Sequence, residues 1–197
     1  MNQALPKAYL ARHGETAWSL SGQHTGLTDM PRIDAGERDA RALGERLRGQ
    51  TFAKVWTSPL RRASRTCELA GFGSAAQIDS DLVEWDYGDY EGRTSAQIRG
   101  SNPGWLLFRD GCPGGESVAQ ATARVDRVIA RARAVEGDVL LFSSGHTLRT
   151  LAARWLGLEA SGGALLLLGT ASLSVLGYEH NLQEPVIRVW NDRHHAG

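Results

Sequence analysis

The sequence predicts an α/β fold: a three-layer sandwich with a mostly parallel central sheet, formed by a single domain over residues 1–197. Two patterns predict it. Short apolar runs of strand length alternate with longer stretches whose Ala, Leu and Val recur at helical spacing, which is the mark of a parallel sheet covered by helices. One run, Asp138 to Ser143 (DVLLFS), is apolar almost throughout, as a central strand buried on both faces must be. The chain's 197 residues, 42% hydrophobic and 22% charged, suffice for a well-buried core without staples.

Taken in order, Lys7 to Arg12 (KAYLAR) reads as a buried strand that gives way to a loop at His13-Gly14. Ser21 to Arg32 is dense in Gly, Ser, Thr and Pro and is expected to be loop. Asp34 is placed as the N-cap of a helix that stops at Gly49. Lys54 to Thr57 (KVWT) is the second strand, and Pro59 opens the next helix, which Gly71 closes. Ile78 to Val83 is expected to hold a short strand. Glu84 to Glu116 keeps no single period and mixes Trp85, Tyr87, Tyr90, Trp105 and Phe108 with Gly and Asp. It is read as an inserted flap with a little helix around Ser95 to Arg99. An amphipathic helix over Glu116 to Val135 leads to the DVLLFS strand, then to a helix over His146 to Leu156. Two last strands, about Ala171 to Tyr178 and Val186 to Trp190, meet across Asn181 to Pro185 and offer an edge for a homodimer. The tail from Asn191, with His194 and His195, is expected to be solvated.

Composition excludes several classes. Basic and acidic residues number 22 each, so the net charge is zero, which argues against a nucleic-acid coat or a polybasic membrane anchor. Only Lys7 and Lys54 of the basic set are lysine, and arginine abundance by itself does not indicate phosphate binding. Cys67 and Cys112 have no CxxC spacing and are expected to be small half-buried fillers. The N-terminus lacks the pattern of a signal peptide, and Ala164 to Tyr178 is too short and interrupted to span a bilayer, so the expected location is the cytoplasm.

The chemistry sits at strand ends. Arg12-His13-Gly14-Glu15-Thr16 follows the first strand, Ser144-Gly145-His146-Thr147 follows DVLLFS, and Arg61-Arg62 lie at another strand-to-helix turn. Ligands of open α/β sheets bind outside the carboxyl ends of the strands, which would bring both histidines to one crevice. His146 also opens a helix whose backbone N–H groups favour an anion. Arginine forks suit phosphate oxygens, a neutral imidazole can attack phosphorus, and a carboxylic acid such as Glu84 can protonate the departing alkoxide. Phosphoryl transfer therefore accounts for the set without a metal or other cofactor. Singly, each piece has a plain alternative: a histidine after a strand that is only hydrogen-bonded, an arginine on a solvated helix face, a surface charge at Glu84. A metal site of His13, His24 and His146 lacks ligand spacing.

Arg12-His13-Gly14-Glu15-Thr16 with Trp18 and Thr25-Gly26-Leu27-Thr28-Asp29, Ser58-Pro59-Leu60-Arg61-Arg62-Ala63 with Arg65-Thr66, and Ser144-Gly145-His146 together resemble the histidine phosphatase, or phosphoglycerate-mutase-like, superfamily. The resemblance runs from about Tyr9 to Leu158. It implies that His13 is the nucleophile, that Arg12, Arg62 and His146 complete the phosphate pocket, and that Glu84 is the proton donor and acceptor; Arg61 goes to the surface. Ser21 to Asp29, Glu84 to Gly92, and Trp105 with Arg109 to Cys112 most resemble the sedoheptulose-1,7-bisphosphatase type of sugar phosphatase. That likeness implies a pocket lined by Ser58, Tyr87 and Arg109, with Arg109 on a distal phosphate. Ser19, Gln23, His24, Thr25, Gly26 and Thr147 lie in the same segments as expected substrate contacts. His24 stands where a Tyr is expected. Ser19 in place of an Asn and a shorter flap favour hydrolysis over mutase chemistry.

The expected activity is metal-independent hydrolysis of a small phosphorylated metabolite, a sugar phosphate or bisphosphate, with neither nucleic acid nor membrane as partner. The competing readings are a cofactor-dependent phosphoglycerate mutase, an α-ribazole phosphate phosphatase, and a non-catalytic module that binds a phospho-ligand. Arg12 and Arg62 are expected to keep His13 neutral, and burial under Trp85 and Tyr87 to raise the pKa of Glu84. Activity is expected to peak from mildly acidic to neutral pH and to survive a chelator.

Overall fold

The computed structural model describes residues 5–30 and 33–196, so Pro31 and Arg32 of the expected loop, Met1 to Ala4 and Gly197 lie outside the described residues. Six strands form one mixed sheet: β1 (Ala8–Arg12), β2 (Lys54–Thr57), β3 (Ala76–Ile78), β4 (Val139–Ser143), β5 (Leu173–Tyr178) and β6 (Pro185–Asp192), in the order β3-β2-β4-β1-β5-β6. The pairs β3–β2, β2–β4 and β4–β1 are parallel; β5 runs antiparallel to both β1 and β6.

Alternation along β1 and β4 builds the three layers. Ala8, Leu10, Val139 and Leu141 face one apolar cluster with Val125, Val128 and Ile129 of α6 (Val118–Arg133) and Leu148, Leu151 and Trp155 of α7 (Gly145–Trp155). Tyr9, Ala11, Leu140 and Phe142 face the other, with Leu43 of α2 (Asp34–Arg46) and Cys67 of α3 (Arg61–Leu69). Every residue of β4 is buried, as its unbroken apolar run requires. Both cysteines are buried, and burial pushes each thiol up to about 12.

The structure corrects several expectations. Asp34 is the first helical residue and makes no side-chain cap; Ile33 holds the N-cap position. The helix after Pro59 starts at Arg61, beyond an extended Leu60. Residues 78–83 are not a strand: β3 ends at Ile78, and a 3-10 turn over Ser80–Leu82 follows, capped by the Asp79 side chain. Ala17–Ser21, whose last residue falls in the expected loop, is a short helix, α1, closed at its start by a capping box between Thr16 and Ser19. The tail is not simply solvated, since His195 is half-buried and bonds the Ala171 carbonyl at 2.7 Å.

The flap is more than an irregular loop. Trp85, Tyr87, Tyr90, Ile98, Trp105, Leu107, Phe108 and Cys112 form a third apolar cluster with Ala121 of α6. Two short helices, α4 (Ser95–Ser101) and α5 (Leu107–Asp110), lie within it. Both of its ends are tied to one buried side chain. Arg124 holds the Glu116 carboxylate at 2.8 and 2.7 Å and donates to the carbonyls of Asp81 and Val83, both at 2.8 Å, next to Glu84.

Candidate active site

The carboxyl ends of β1 and β4 lie side by side, with Arg12 opposite Ser143 in the register, and so bring the His13 and His146 turns together. Gly14 makes the first turn possible, because a Cβ there would fall 2.3 Å from the carbonyl oxygen of Gly36 in α2. Arg12, His13, Ser19, Gln23, His24, Thr25, Glu84, Tyr87 and His146 line one cavity of about 90 Å³, with Gly145, Arg149 and Leu168. A wider cavity of about 490 Å³ shares His24, His146 and Arg149 with it and continues along Ser95, Arg99, Trp105, Leu107, Phe108, Arg109 and Ala164. Its size falls within the about 300–1,000 Å³ of small-molecule sites.

Hydrogen bonds place protons on the buried His13 and the half-buried His146. His13 Nδ1 lies 2.7 Å from the Gly14 carbonyl, which only accepts; Nδ1 therefore carries a hydrogen, which in a neutral ring puts the lone pair on Nε2. His146 has the opposite tautomer. The Tyr87 hydroxyl lies 2.5 Å from its Nδ1, and burial holds the phenol pKa well above its usual value, so Tyr87 donates. Burial also pushes the His146 ring down to about 3, against the pull of Glu84, so the ring is neutral and presents Nε2–H.

Glu84 occupies the site expected to receive an anion. It accepts from the backbone N–H of His146 at 2.9 Å and of Thr147 at 2.8 Å, at the first turn of α7, and from Trp85 N–H at 2.9 Å. The Thr147 hydroxyl lies 3.1 Å from the same carboxylate. Burial alone would raise this carboxyl, as expected from sequence. The N–H donors of His146 and Trp85 and the nearby Arg62 charge oppose burial, and the carboxyl is held below the usual carboxylate range.

The arginines divide. Arg12 is half-buried, donates Nη1–H to the Leu168 carbonyl, and keeps its buried Nε–H without an acceptor among the described residues. Gly145 leaves room for it: a Cβ there would lie 3.2 Å from the guanidinium carbon. Arg62 is 1% exposed and stands behind the wall rather than in it. Its guanidinium bonds the carbonyls of Thr25, Gly26 and Thr28 at 3.0, 2.6 and 3.0 Å, and Ser144 Oγ at 3.3 Å.

Other expected residues are dispersed. Ser58 is fully buried, and its hydroxyl accepts from Leu60 N–H; it lines neither cavity. Gly26 and Thr147 act through Arg62 and Glu84, respectively. Arg109 lies on the outer cavity, with its guanidinium on Asp110. Gln23 donates to the Gly92 carbonyl at 2.7 Å, and the Ser19 hydroxyl completes the cap of α1. His24 rests between Tyr87, Trp105 and His146, at ring separations of 4.7, 5.6 and 5.8 Å. Arg149 escaped the sequence reading, although it stands three residues after His146 on the same helix face. Among the described residues the grouping with metal-ligand proximity is Glu179, His180 and Glu184, exposed in the β5–β6 hairpin, and not the three cavity histidines.

Residues 8–193 match the histidine phosphatase superfamily (branch 1). The chain belongs to this family. An acid phosphatase of Mycobacterium tuberculosis is 42% identical over 179 residues, which cover 89% of this chain and 88% of that one. The sedoheptulose 1,7-bisphosphatase of Saccharomyces cerevisiae is 36% identical over 190 residues, 80% of this chain and 70% of the yeast enzyme. Among solved structures, an open-reading-frame product of Mycobacterium tuberculosis superposes with a TM-score of 0.90 at 40% identity, covering 94% of this chain and 97% of that one. This histidine phosphatase is thus a phosphatase with the α/β fold of its relatives. Among the described residues no helix is long and apolar enough to cross a membrane.

Proposed function

We propose that this phosphatase hydrolyses a small phosphorylated metabolite, a sugar phosphate or bisphosphate, through a phosphohistidine on His13. The observation that carries the reading is the pair of opposite tautomers in one cavity. The His13 tautomer has a lone pair on Nε2, as a nucleophile needs; the His146 tautomer has a donor there, as a developing phosphoryl charge needs.

The reaction follows from these assignments. The Nε2 lone pair of His13 attacks phosphorus while the bond to the leaving oxygen breaks, and the Gly14 carbonyl steadies the positive charge that grows on the ring. Arg12, with its unpaired Nε–H, and His146 Nε2–H hold the transferred oxygens. Arg62 supports the wall electrostatically from behind. The Glu84 carboxyl gives its proton to the departing alkoxide. Its carboxylate then takes one from the water that attacks the P–N bond, which releases inorganic phosphate and restores neutral His13. Because Glu84 is held ionised in the empty site, a substrate arriving as its monoanion supplies the missing proton, and the optimum shifts to acid. The wider cavity next door accommodates the leaving group, and the 36% identity to a sedoheptulose 1,7-bisphosphatase supports a sugar bisphosphate.

Phosphate release from sugar phosphates, bisphosphates and phosphoglycerates, measured with a chelator present, tests the reading. Turnover by the native chain and none by His13→Ala is expected. Isomerised phosphoglycerate without free phosphate would replace hydrolysis by a mutase reaction, and a strict divalent-metal requirement would overturn the mechanism.

A further inference from the structure

Arg12 is aimed by a stretch of chain with no regular structure of its own. Its Nη1–H donates to the Leu168 carbonyl, between a 3-10 turn over Ala160–Leu165 and the start of β5 at Leu173. Leu165 and Leu167 are exposed, so packing does little to hold this segment. The end of β6 and the residues after it hold it instead. Trp190 Nε1–H donates to the Leu167 carbonyl at 2.6 Å, Asn191 Oδ1 accepts from Gly169 N–H at 2.7 Å, and His195 bonds the Ala171 carbonyl. Arg193 packs on Gly169, where a Cβ would fall 2.7 Å from its Cδ.

The Asn191 bond has a particular place among these. The Leu168 carbonyl and the Gly169 N–H belong to one planar peptide group, so Arg12 and Asn191 grip its two ends. A peptide beside a glycine turns over at little steric cost, since no Cβ resists it. With Asn191 in place, that rotation would break the bond to Gly169 and swing the carbonyl away from Arg12. The backbone is bent to deliver this side chain. The β5–β6 register shifts between Leu173 and Val175, Asn191 has a φ of 55°, and its N–H donates to Ser174 Oγ at 2.9 Å. Asn tolerates this left-handed backbone better than most residues that carry a Cβ.

We propose that Asn191 is a positioning residue: by holding the Leu168–Gly169 peptide it fixes the Arg12 guanidinium in the phosphate pocket. The role rests on the phosphatase reading, in which Arg12 holds the transferred oxygens. The last strand of the sheet, far from Arg12 along the chain, thereby completes the pocket from behind.

Hydrolysis of phenyl phosphate by a set of variants tests the role. Asn191→Gly keeps the left-handed backbone but loses the acceptor, and should lower kcat/KM about tenfold, the worth of about one hydrogen bond. Asn191→Asp keeps both backbone and acceptor and should stay within about threefold of the native enzyme. In an Arg12→Lys background, which has no fork left to aim, Asn191→Gly should cost less than about twofold. As large a loss in that background as in the native one, equal losses in Asn191→Gly and Asn191→Asp, or no loss in Asn191→Gly would each overturn the proposal. Should Arg12→Lys be too slow to assay, calorimetric binding of inorganic phosphate completes the cycle. The same binding separates the two claims if the native chain hydrolyses no phosphomonoester. Phosphate binding that weakens in Asn191→Gly, but not in the Arg12→Lys background, would then sink the phosphatase reading and keep this role; no binding, or binding indifferent to Asn191, would overturn it.

Discussion

The Tyr87 hydroxyl stands 2.5 Å from Nδ1 of His146 and determines which nitrogen of that ring carries the proton. Without it the neutral ring exchanges tautomers, and part of the population turns a lone pair toward the phosphoryl oxygens. Tyr87→Phe should therefore lower kcat about tenfold with KM little changed, since about one hydrogen bond's worth of transition-state support is lost. Nitrogen NMR of His146 should show the ring leaving the Nε2–H form. Unchanged kcat would remove Tyr87 from the mechanism.

Glu84→Gln separates acid catalysis from positioning. The amide can still accept N–H bonds from α7 but has no proton to give. Turnover of a sugar phosphate should fall by about 10²–10⁴-fold. The loss on an aryl phosphate with an acidic leaving group should be far smaller, because that oxygen departs without help. Equal losses on both would contradict the assignment.

The half-buried His146 couples stability to pH. Its pKa is about 3 in the folded protein, against an ordinary value of 6.5. Between those values the unfolded chain binds a proton that the native ring does not, so stability falls as the pH falls through this window. The slope is about 1.4 kcal/mol per pH unit, or about 2 kcal/mol between pH 6.5 and 5. Glu84, with its pKa depressed, adds a loss of the same sign only as the pH drops below the ordinary carboxylate value. His24, also lowered by burial, adds to the histidine loss. Denaturant unfolding of His146→Gln should show the slope reduced by the His146 share, and an unaltered slope would place the proton elsewhere.

Glu91 braces Arg62 from a distance. Its carboxylate accepts from Gly26 N–H at 2.9 Å and Thr28 N–H at 3.2 Å, and the carbonyls of that loop hold the Arg62 guanidinium. Glu91→Ala should lower Tm by about 4–8 °C, for a loss of about 2 kcal/mol, and raise KM. A lower Tm with unchanged KM would make the brace purely structural.

The parts of this molecule legible in its sequence are those set by local pattern. Alternation and apolar runs placed β1, β2 and β4, and the strand-end clusters placed His13 and His146 in one crevice. The flap core was hidden because Trp85, Tyr90, Trp105 and Phe108 meet across turns that share no period. The protonation of Glu84 was misread because burial was visible near Trp85, whereas the opposing N–H donors come from α7, far along the chain. Arg62 looked like a pocket residue, and its carbonyl partners in the 25–28 loop could be seen only in three dimensions.

The central claim is covalent, and trapping the intermediate tests it most directly. Enzyme mixed with labelled substrate and quenched rapidly in alkali should carry one phosphoryl group, stable to base, labile to acid, and located on His13 by peptide mass spectrometry. His13→Ala should carry none. A label on any other residue, or undiminished turnover by His13→Ala, would contradict the account.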